Sequence, residues 1–407
     1  MAEQREKLHI VVFPWLAFGH LGPFFELAKL IAQKGHKISF ISTPRNIHHL
    51  PKVPENLQHL VDLIELPLPR VDKLPENAEA TVDVPYHLIP YLKQAFDGLE
   101  QPLTMFLERC KPHWIIYDFA PYWLSPICSQ LGISCIFFSI FSASALYYFL
   151  LDHYTSKAHH YTSKARVSAQ NKGFPDEHYE TNESWFSVVF RILETTNQFS
   201  EDSKDENWDT ILKWLDKQEK GSVVYVAFGS EGRLSDEDFT EITKGIEMSG
   251  FPFFWVLKKQ NTSNVELQDL VVNNSGTGLV GRTWAPQMRI LAHKSVGGFL
   301  THCGWSSVNE SLLVGCPLVM LPFQNDQFIV AKLMEEKRVG FQVQRSEHDE
   351  KLTRESLANA LRAVMLEKSY TSEAEEMSKI VGDKELHQKY IDEFVEYMEI
   401  HKPVLKD

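Results

Sequence analysis

His20 and Asp118 are residue types that move protons, and each sits where an apolar run ends. His20 lies in Phe18-Gly19-His20-Leu21-Gly22-Pro23, where the glycines allow a tight turn and Pro23 suits the start of a helix. An imidazole with an ordinary pKa of about 6.5 can be neutral near pH 7 and accept a proton. Asp118 ends Trp114-Ile115-Ile116-Tyr117, where a carboxylate could fix an imidazole tautomer and stabilise the imidazolium. Taken singly, each has a plainer reading. A histidine in a glycine-rich turn is often structural, and Asp118 could cap a helix near Pro121.

A second set of residues runs from 284 to 327. Residues 297–302 (GGFLTH) read as a buried strand, and residues 306–314 as a helix ended by Gly315 and Pro317. His302, Gly304 and Ser307 then fall at a strand-to-helix turn, where unpaired N–H groups and the helix dipole suit a diphosphate. Glu310, one turn on, can accept hydrogen bonds from ribose hydroxyls. Trp284 offers a flat face for a base. Asp326 and Gln327 follow a predicted strand at 317–322, near where strand ends in an open α/β sheet collect ligands. Each of these alone could be core or surface filler, and Asp326-Gln327 alone could be a helix cap.

The run WAPQMRILAHKSVGGFLTHCGWSSVNESLLVGCPLVMLPFQNDQ resembles the PSPG signature of plant UDP-dependent glycosyltransferases at all forty-four positions. Trp284, Pro286, Gln287, His293, His302, Gly304, Trp305, Glu310, Pro317, Asp326 and Gln327 fall in register. The resemblance implies that Trp284, Ala285, Gln287, His302, Gly304, Trp305, Ser306, Ser307, Glu310, Asp326 and Gln327 hold a UDP-sugar. Gly229 and Ser230, in Phe-Gly-Ser, would touch its diphosphate. The resemblance implies that His20, at the place of the family's catalytic histidine, is the base, and His-Trp-Ile-Ile-Tyr-Asp, similar to the family pattern Pro-Asp-Trp-Ile-Ile-x-Asp, implies that Asp118 is its partner. The acceptor would be lined by Phe18, Tyr86, Ser142, Tyr147 and Trp185. Gln327 resembles the glucose users, although rhamnose users share it, and Cys-Gly-Trp-Ser-Ser resembles members that add a sugar to a sugar on a terpenoid or flavonoid. Ser306 replaces a common Asn, and Asn309 stands where the family is usually apolar. The implied chemistry is inverting hexose transfer from a UDP-sugar to a small molecule, with no metal and no further cofactor.

The elements that must position these residues alternate between strand-like and helix-like segments, the pattern of α/β domains with parallel sheets. Strands are expected at 8–13, 37–42, 63–66, 114–117 and 135–139, then at 223–228, 252–257, 297–301, 317–321 and 340–343. Helical runs follow Pro23, Pro85 and Pro121, and Ser235 with Asp238 looks like a capping box. The resemblance implies the GT-B fold, two Rossmann-like domains with sheets facing across a cleft. The expected division is an acceptor-binding domain at 1–200, a linker at 201–220 and a UDP-sugar-binding domain at 221–384. A last helix, 385–407, with a stripe of Tyr390, Phe394, Val395 and Met398, would pack back on the first domain.

Size allows two cores, and a net charge of −13 argues against nucleic acid and anionic membranes. No apolar run is long enough to span a bilayer, and the start lacks a secretory pattern. Five cysteines without a CxxC pair suggest reduced thiols in a cytoplasmic protein, and without a secretory start the Asn-x-Ser/Thr sites, Asn309 among them, are read as unused; a monomer is expected. Gly276-Thr277-Gly278-Leu279-Val280-Gly281 fits GxGxxG but follows Asn273-Asn274-Ser275, so a nicotinamide oxidoreductase has little support. The adjacent pairs His48-His49 and His159-His160 have poor metal-ligand geometry. HYTSKAH at 153–159 is followed by HYTSKAR at 160–166, a duplication read as an indel or loop. Compared with the family it resembles, this sequence lacks segments between the Phe190 region and the linker and near 265–272. A non-catalytic UDP-sugar binder is therefore the alternative.

Overall fold

The computed structural model describes residues 7–141, 206–229, 234–257, 270–272, 277–281, 285–324, 326–346 and 351–403. Contacts divide the chain into two compact units. The first takes in the chain up to Ile140 and the C-terminal helix Lys384–Ile400; the second takes in Glu206 to Asp383. Ser142, Tyr147, Trp185, the duplicated heptapeptide and the first expected gap lie outside the described residues.

In the first unit, short apolar runs form five parallel strands: β1 (His9–Phe13), β2 (Lys37–Ser42), β3 (Val61–Glu65), β4 (Trp114–Tyr117) and β5 (Ser134–Phe137). Their order is β3-β2-β1-β4-β5. The central strand pairs on both sides, Val12 with Phe40 and with Ile116. Covered on both faces, it reads as a continuous apolar run rather than an alternating one. Phe13 stacks on Phe96 at 5.0 Å in the core beneath it.

One expectation fails here. The helix after β1 starts at Phe18, not near Pro23, so His20 sits in its first turn instead of in a free glycine turn. Ala17, extended at φ −130, caps it, and its carbonyl accepts from the N–H of His20 (2.8 Å) and of Leu21 (2.9 Å). Pro23 is inside this helix, one turn from its start, where its missing N–H costs only the bond to the Gly19 carbonyl.

The C-terminal helix belongs to the first unit. The Trp114 indole N–H donates to the Met398 carbonyl at 3.1 Å, and Lys34 pairs with Asp392. Its buried stripe is His387, Ile391, Val395 and Met398. Tyr390 and Phe394, expected in that stripe, are only half-buried.

The second unit has β6 (Val223–Ala227), β7 (Phe253–Val256), β8 (Leu270–Val272), β9 (Gly278–Gly281), β10 (Val296–Thr301), β11 (Leu318–Met320) and β12 (Gly340–Gln342). The order is β12-β11-β10-β6-β7-β9-β8. All pairs are parallel except β8 with β9. The antiparallel β8 falls where the sequence reading placed a gap; three residues carry too little pattern to show a strand. Gly278, in the GxGxxG stretch, lies within β9, and a Cβ there would sit 2.2 Å from the Phe253 ring. That glycine serves sheet packing, and the next described helix opens only at Gln287. The stretch 201–220, read as a linker, contains the helix Glu206–Leu215. Ile211 and Leu215 are buried, and the Arg289 guanidinium lies over the Trp208 ring at 4.6 Å. Ser235 caps the helix Asp236–Ser249 by accepting the Asp238 N–H at 3.0 Å.

Candidate functional site

In the first sheet, β1 leads to β2 and β3 on one side, while β4 leads to β5 on the other. The carboxyl ends of β1 and β4 therefore flank the switch point, where open α/β sheets collect ligands. His20 follows β1 and Asp118 follows β4. His20 is 8% exposed and Asp118 is 2% exposed. His20 Nδ1 lies 2.7 Å from Asp118 Oδ2. The Trp15 N–H donates to the same oxygen at 3.0 Å, and the Ala120 N–H donates to Oδ1 at 3.3 Å. A carboxylate accepts, so Nδ1 is the donor in this pair, and in the neutral form of the ring Nε2 then holds the lone pair. Asp118 thus holds the turn at Ala120 as well as the imidazole, but it does not cap the next helix, Leu124–Leu131, whose N-cap is Trp123.

Phe119 was not singled out in the sequence. It is half exposed, and its ring lies 5.5 Å from His20 and 6.1 Å from Trp15. Only its place next to Asp118 could have marked it. Of the expected acceptor residues, Phe18 and Tyr86 are described, and both are exposed. Phe18 meets His49 edge-on at 6.0 Å.

The second sheet repeats the logic. β6 leads to β7 on one side and β10 leads to β11 on the other, so the ends of β6 and β10 flank a switch point. Gly229 follows β6 with φ +74, while His302 and Gly304 follow β10. A Cβ at Gly229 would sit 2.7 Å from His302 Nε2, and one at Gly304 would sit 2.5 Å from it. The imidazole therefore needs glycine on both sides. Buried Cys303 takes φ 67, a left-handed conformation rare outside glycine, to turn β10 into the helix Trp305–Leu313. Gly304 is the N-cap, and the first N–H groups of that helix lack intrahelical acceptors. Trp305 and Ser307 are buried at this end, and Ser306 is half-buried.

Glu310 lies on the same helix. The Gln287 amide donates to its Oε2 at 2.8 Å and to Ser307 Oγ at 3.4 Å. The Tyr225 hydroxyl donates to Gln287 Oε1 at 3.3 Å. Burial raises the Glu310 pKa to about 7, partly opposed by the Gln287 hydrogen bond. The structure thus joins Gln287, Ser307 and Glu310, as the sequence reading grouped them, and adds Tyr225. Asp326 and Gln327 are buried at the start of the helix Gln327–Glu336. Gln327 Oε1 accepts from the N–H groups of Phe323 (2.9 Å) and Gln324 (3.1 Å). Ala285 is half-buried, while Ser230 and Trp284 lie outside the described residues. His293 bonds Ser295 Oγ at 2.8 Å and approaches Asp216, a loop-fastening role.

Among the described residues no group of three or more His, Cys, Asp or Glu could hold a metal, and no helix is long and apolar enough to cross a membrane.

Comparison with known proteins brings this geometry together. Residues 203–403 match the family "UDP-glucoronosyl and UDP-glucosyl transferase". The chain is 40% identical to UDP-glycosyltransferase 91D2 of Stevia rebaudiana, over 98% of this chain and 96% of that protein. It is 34% identical to soyasaponin III rhamnosyltransferase of Glycine max, over 98% and 96%. The first alignment runs over 461 positions, more than the 407 residues here, so that relative carries residues this chain lacks. The fold matches Arabidopsis thaliana UGT89C1 complexed with UDP, with a TM-score of 0.74 and 24% identity over 96% of this chain and all of that one. Two parallel-sheet α/β units on the GT-B plan, with relatives of this identity along nearly the whole chain, place this protein in the plant UDP-glycosyltransferases, enzymes that move a sugar from a UDP carrier.

Proposed function

We propose that this enzyme transfers a hexose with inversion from a UDP-sugar to a hydroxyl of a small plant metabolite or its glycoside. The observation that carries the reading is the His20–Asp118 hydrogen bond of 2.7 Å at the first switch point. Nε2 of His20 takes the proton from the acceptor hydroxyl. The acceptor oxygen attacks the anomeric carbon as the bond from that carbon to the diphosphate breaks, and UDP leaves. Asp118 stabilises the imidazolium so formed. Gly229, Ser230, His302, Gly304 and the N-terminus of the helix Trp305–Leu313 receive the diphosphate charge. Trp284 and Ala285 take the base, Gln287 and Glu310 face the ribose, and Asp326 and Gln327 face the hexose.

Glucose is the proposed sugar, and a relative named as a rhamnosyltransferase keeps rhamnose as the second. Phe18, Tyr86, Ser142, Tyr147 and Trp185 are the proposed acceptor residues, in a cytoplasmic monomer that uses no metal. The residues this chain lacks relative to its relatives favour one other reading, a UDP-sugar binder without turnover.

A UDP-release assay with a panel of donors and acceptors separates the two. General-base assistance contributes about 10²–10⁴-fold, so His20→Ala should lose at least about a hundredfold in turnover. Its UDP affinity, measured by calorimetry, should be unchanged. Near-parental turnover in this variant would remove His20 from the mechanism. No UDP release from the parent with any pair would favour the binder.

A further inference from the structure

Tyr225 is a tyrosine where packing alone asks only for a phenyl ring. It sits in the middle of β6, 1% exposed. Its register partners are Phe299 on β10 and Phe254 on β7. Its ring stacks on theirs at 5.0 and 5.9 Å. Held on both sides, the ring cannot swing, and its hydroxyl has a fixed address, Gln287 Oε1 at 3.3 Å.

That contact decides which way the Gln287 amide faces. A phenol in this core stays protonated, because burial pushes its pKa far above the usual value, and the Glu310 charge adds to the effect. The hydroxyl keeps its proton and donates it to Oε1. Nε2 then points to Glu310 Oε2 at 2.8 Å and Ser307 Oγ at 3.4 Å. The opposite flip would set an amide oxygen against a carboxylate. Both N–H bonds of the amide are engaged within the protein, so the side chain bridges the strand and the helix, while Oε1 keeps a second lone pair. Glu310 Oε2 takes the Gln287 N–H, which leaves Oε1 for a ligand.

We infer that Tyr225 is a positioning residue of the sugar-nucleotide site, holding the Glu310 carboxylate through Gln287 in the pose that receives a ribose hydroxyl. This rests on the donor-site reading above. Tyr225 touches no ligand; it removes the freedom that the glutamine and glutamate would otherwise lose on binding.

The test uses the full chain, calorimetry, and three probes: UDP, 2′-deoxy-UDP and 3′-deoxy-UDP. The parent should prefer UDP over the weaker deoxy analogue by about tenfold or more, the range for one hydrogen bond to a carboxylate. In Tyr225→Phe that preference should fall below about threefold, because UDP weakens while the analogue holds within about twofold. Gln287→Leu, whose change lies outside the stacked core, should lose the same preference. The double variant should lose no more than Gln287→Leu alone, because the two act in series. Equal weakening of all three probes would reduce Tyr225 to a packing role and overturn the inference. So would a preserved preference, or additive losses in the double variant. A parent that binds UDP without any preference would instead remove Glu310 from the ribose. A parent that does not bind UDP would overturn the donor site itself.

Discussion

At the scale of single residues, two carboxylates face opposite demands. Asp118 accepts from Trp15, Ala120 and His20. Glu310 has Gln287 and little else against its burial, and its pKa rises to about 7. A carboxyl whose folded pKa lies above the ordinary 4.5 costs nothing below that value. The cost grows as the pH climbs from 4.5 to about 7 and is complete above it. Glu310→Gln should therefore stabilise the ligand-free protein at pH 8, on the order of 2 kcal/mol, and hardly at all near pH 4.5. Thermal denaturation of parent and variant across that range reads the difference directly. A gap that stays constant with pH would mean the carboxyl is not strained by ionisation. The same variant should bind UDP more weakly, so stability and donor binding pull apart at this position.

At the scale of the element, the helix Trp305–Leu313 carries both the site and a defect. One turn holds Ser307 and Glu310 toward Gln287, and Ser311 Oγ donates to the Cys316 carbonyl at 2.8 Å to close the far end. Asn309, between them, is 1% exposed, and neither amide atom has a hydrogen-bond partner among the described residues. Buried there, it cannot serve as a glycosylation acceptor in the folded chain. A polar group buried without a partner costs about 1–3 kcal/mol. Leucine has similar bulk and nothing to desolvate, so Asn309→Leu should raise the unfolding free energy by about 1–2 kcal/mol with the denaturant slope unchanged. Destabilisation in urea unfolding would show that the amide has a partner in solution.

At the scale of the molecule, the two units should answer acid in opposite directions. In the first unit, histidine rings at the amino ends of the strands accept backbone N–H groups: Leu8 donates to His36 Nδ1 at 3.2 Å and His9 to His113 Nδ1 at 3.0 Å. Burial lowers the pKa of His9 and of His36, although Glu399 on the C-terminal helix pulls His36 upward. A histidine with a folded pKa below 6.5 contributes stability that is present above 6.5 and lost as pH falls through the folded value. Protonating His36 Nδ1 would also set two donors against each other at Leu8. Glu310 in the second unit gains over the same interval. Hydrogen exchange at pH 7 and pH 5, corrected for intrinsic rates, should show protection falling at Leu8 and His9 relative to Val224 and Val226. A uniform change across both sheets would refute this division.

How much of this was legible in the sequence follows from range. β1, β2, β4, β6 and β10 are short apolar runs bounded by turn residues, and such local patterns fix strands within a residue or two. The types and spacing of His302, Gly304, Ser307 and Glu310 likewise pointed to a strand-to-helix turn for a phosphorylated ligand. The antiparallel β8 was too short to show a pattern. The start of the helix at Phe18 was hidden because Pro23 is the stronger local signal, and the Ala17 cap overrides it. The stretch 201–220 reads as a linker because its charges are frequent; Ile211 and Leu215 become a buried face only in the folded chain. The pairing of His20 with Asp118 spans 98 residues, and only the strand order β2-β1-β4 brings the two carboxyl ends together. In the sequence, Tyr225 is one aromatic within the apolar run Val223 to Phe228. Its hydroxyl acquires a task only when β6 lies beside β10 and sets it against Gln287, 62 residues away. Residue chemistry is written locally, whereas the partner each group meets is set by which strands the sheet makes neighbours.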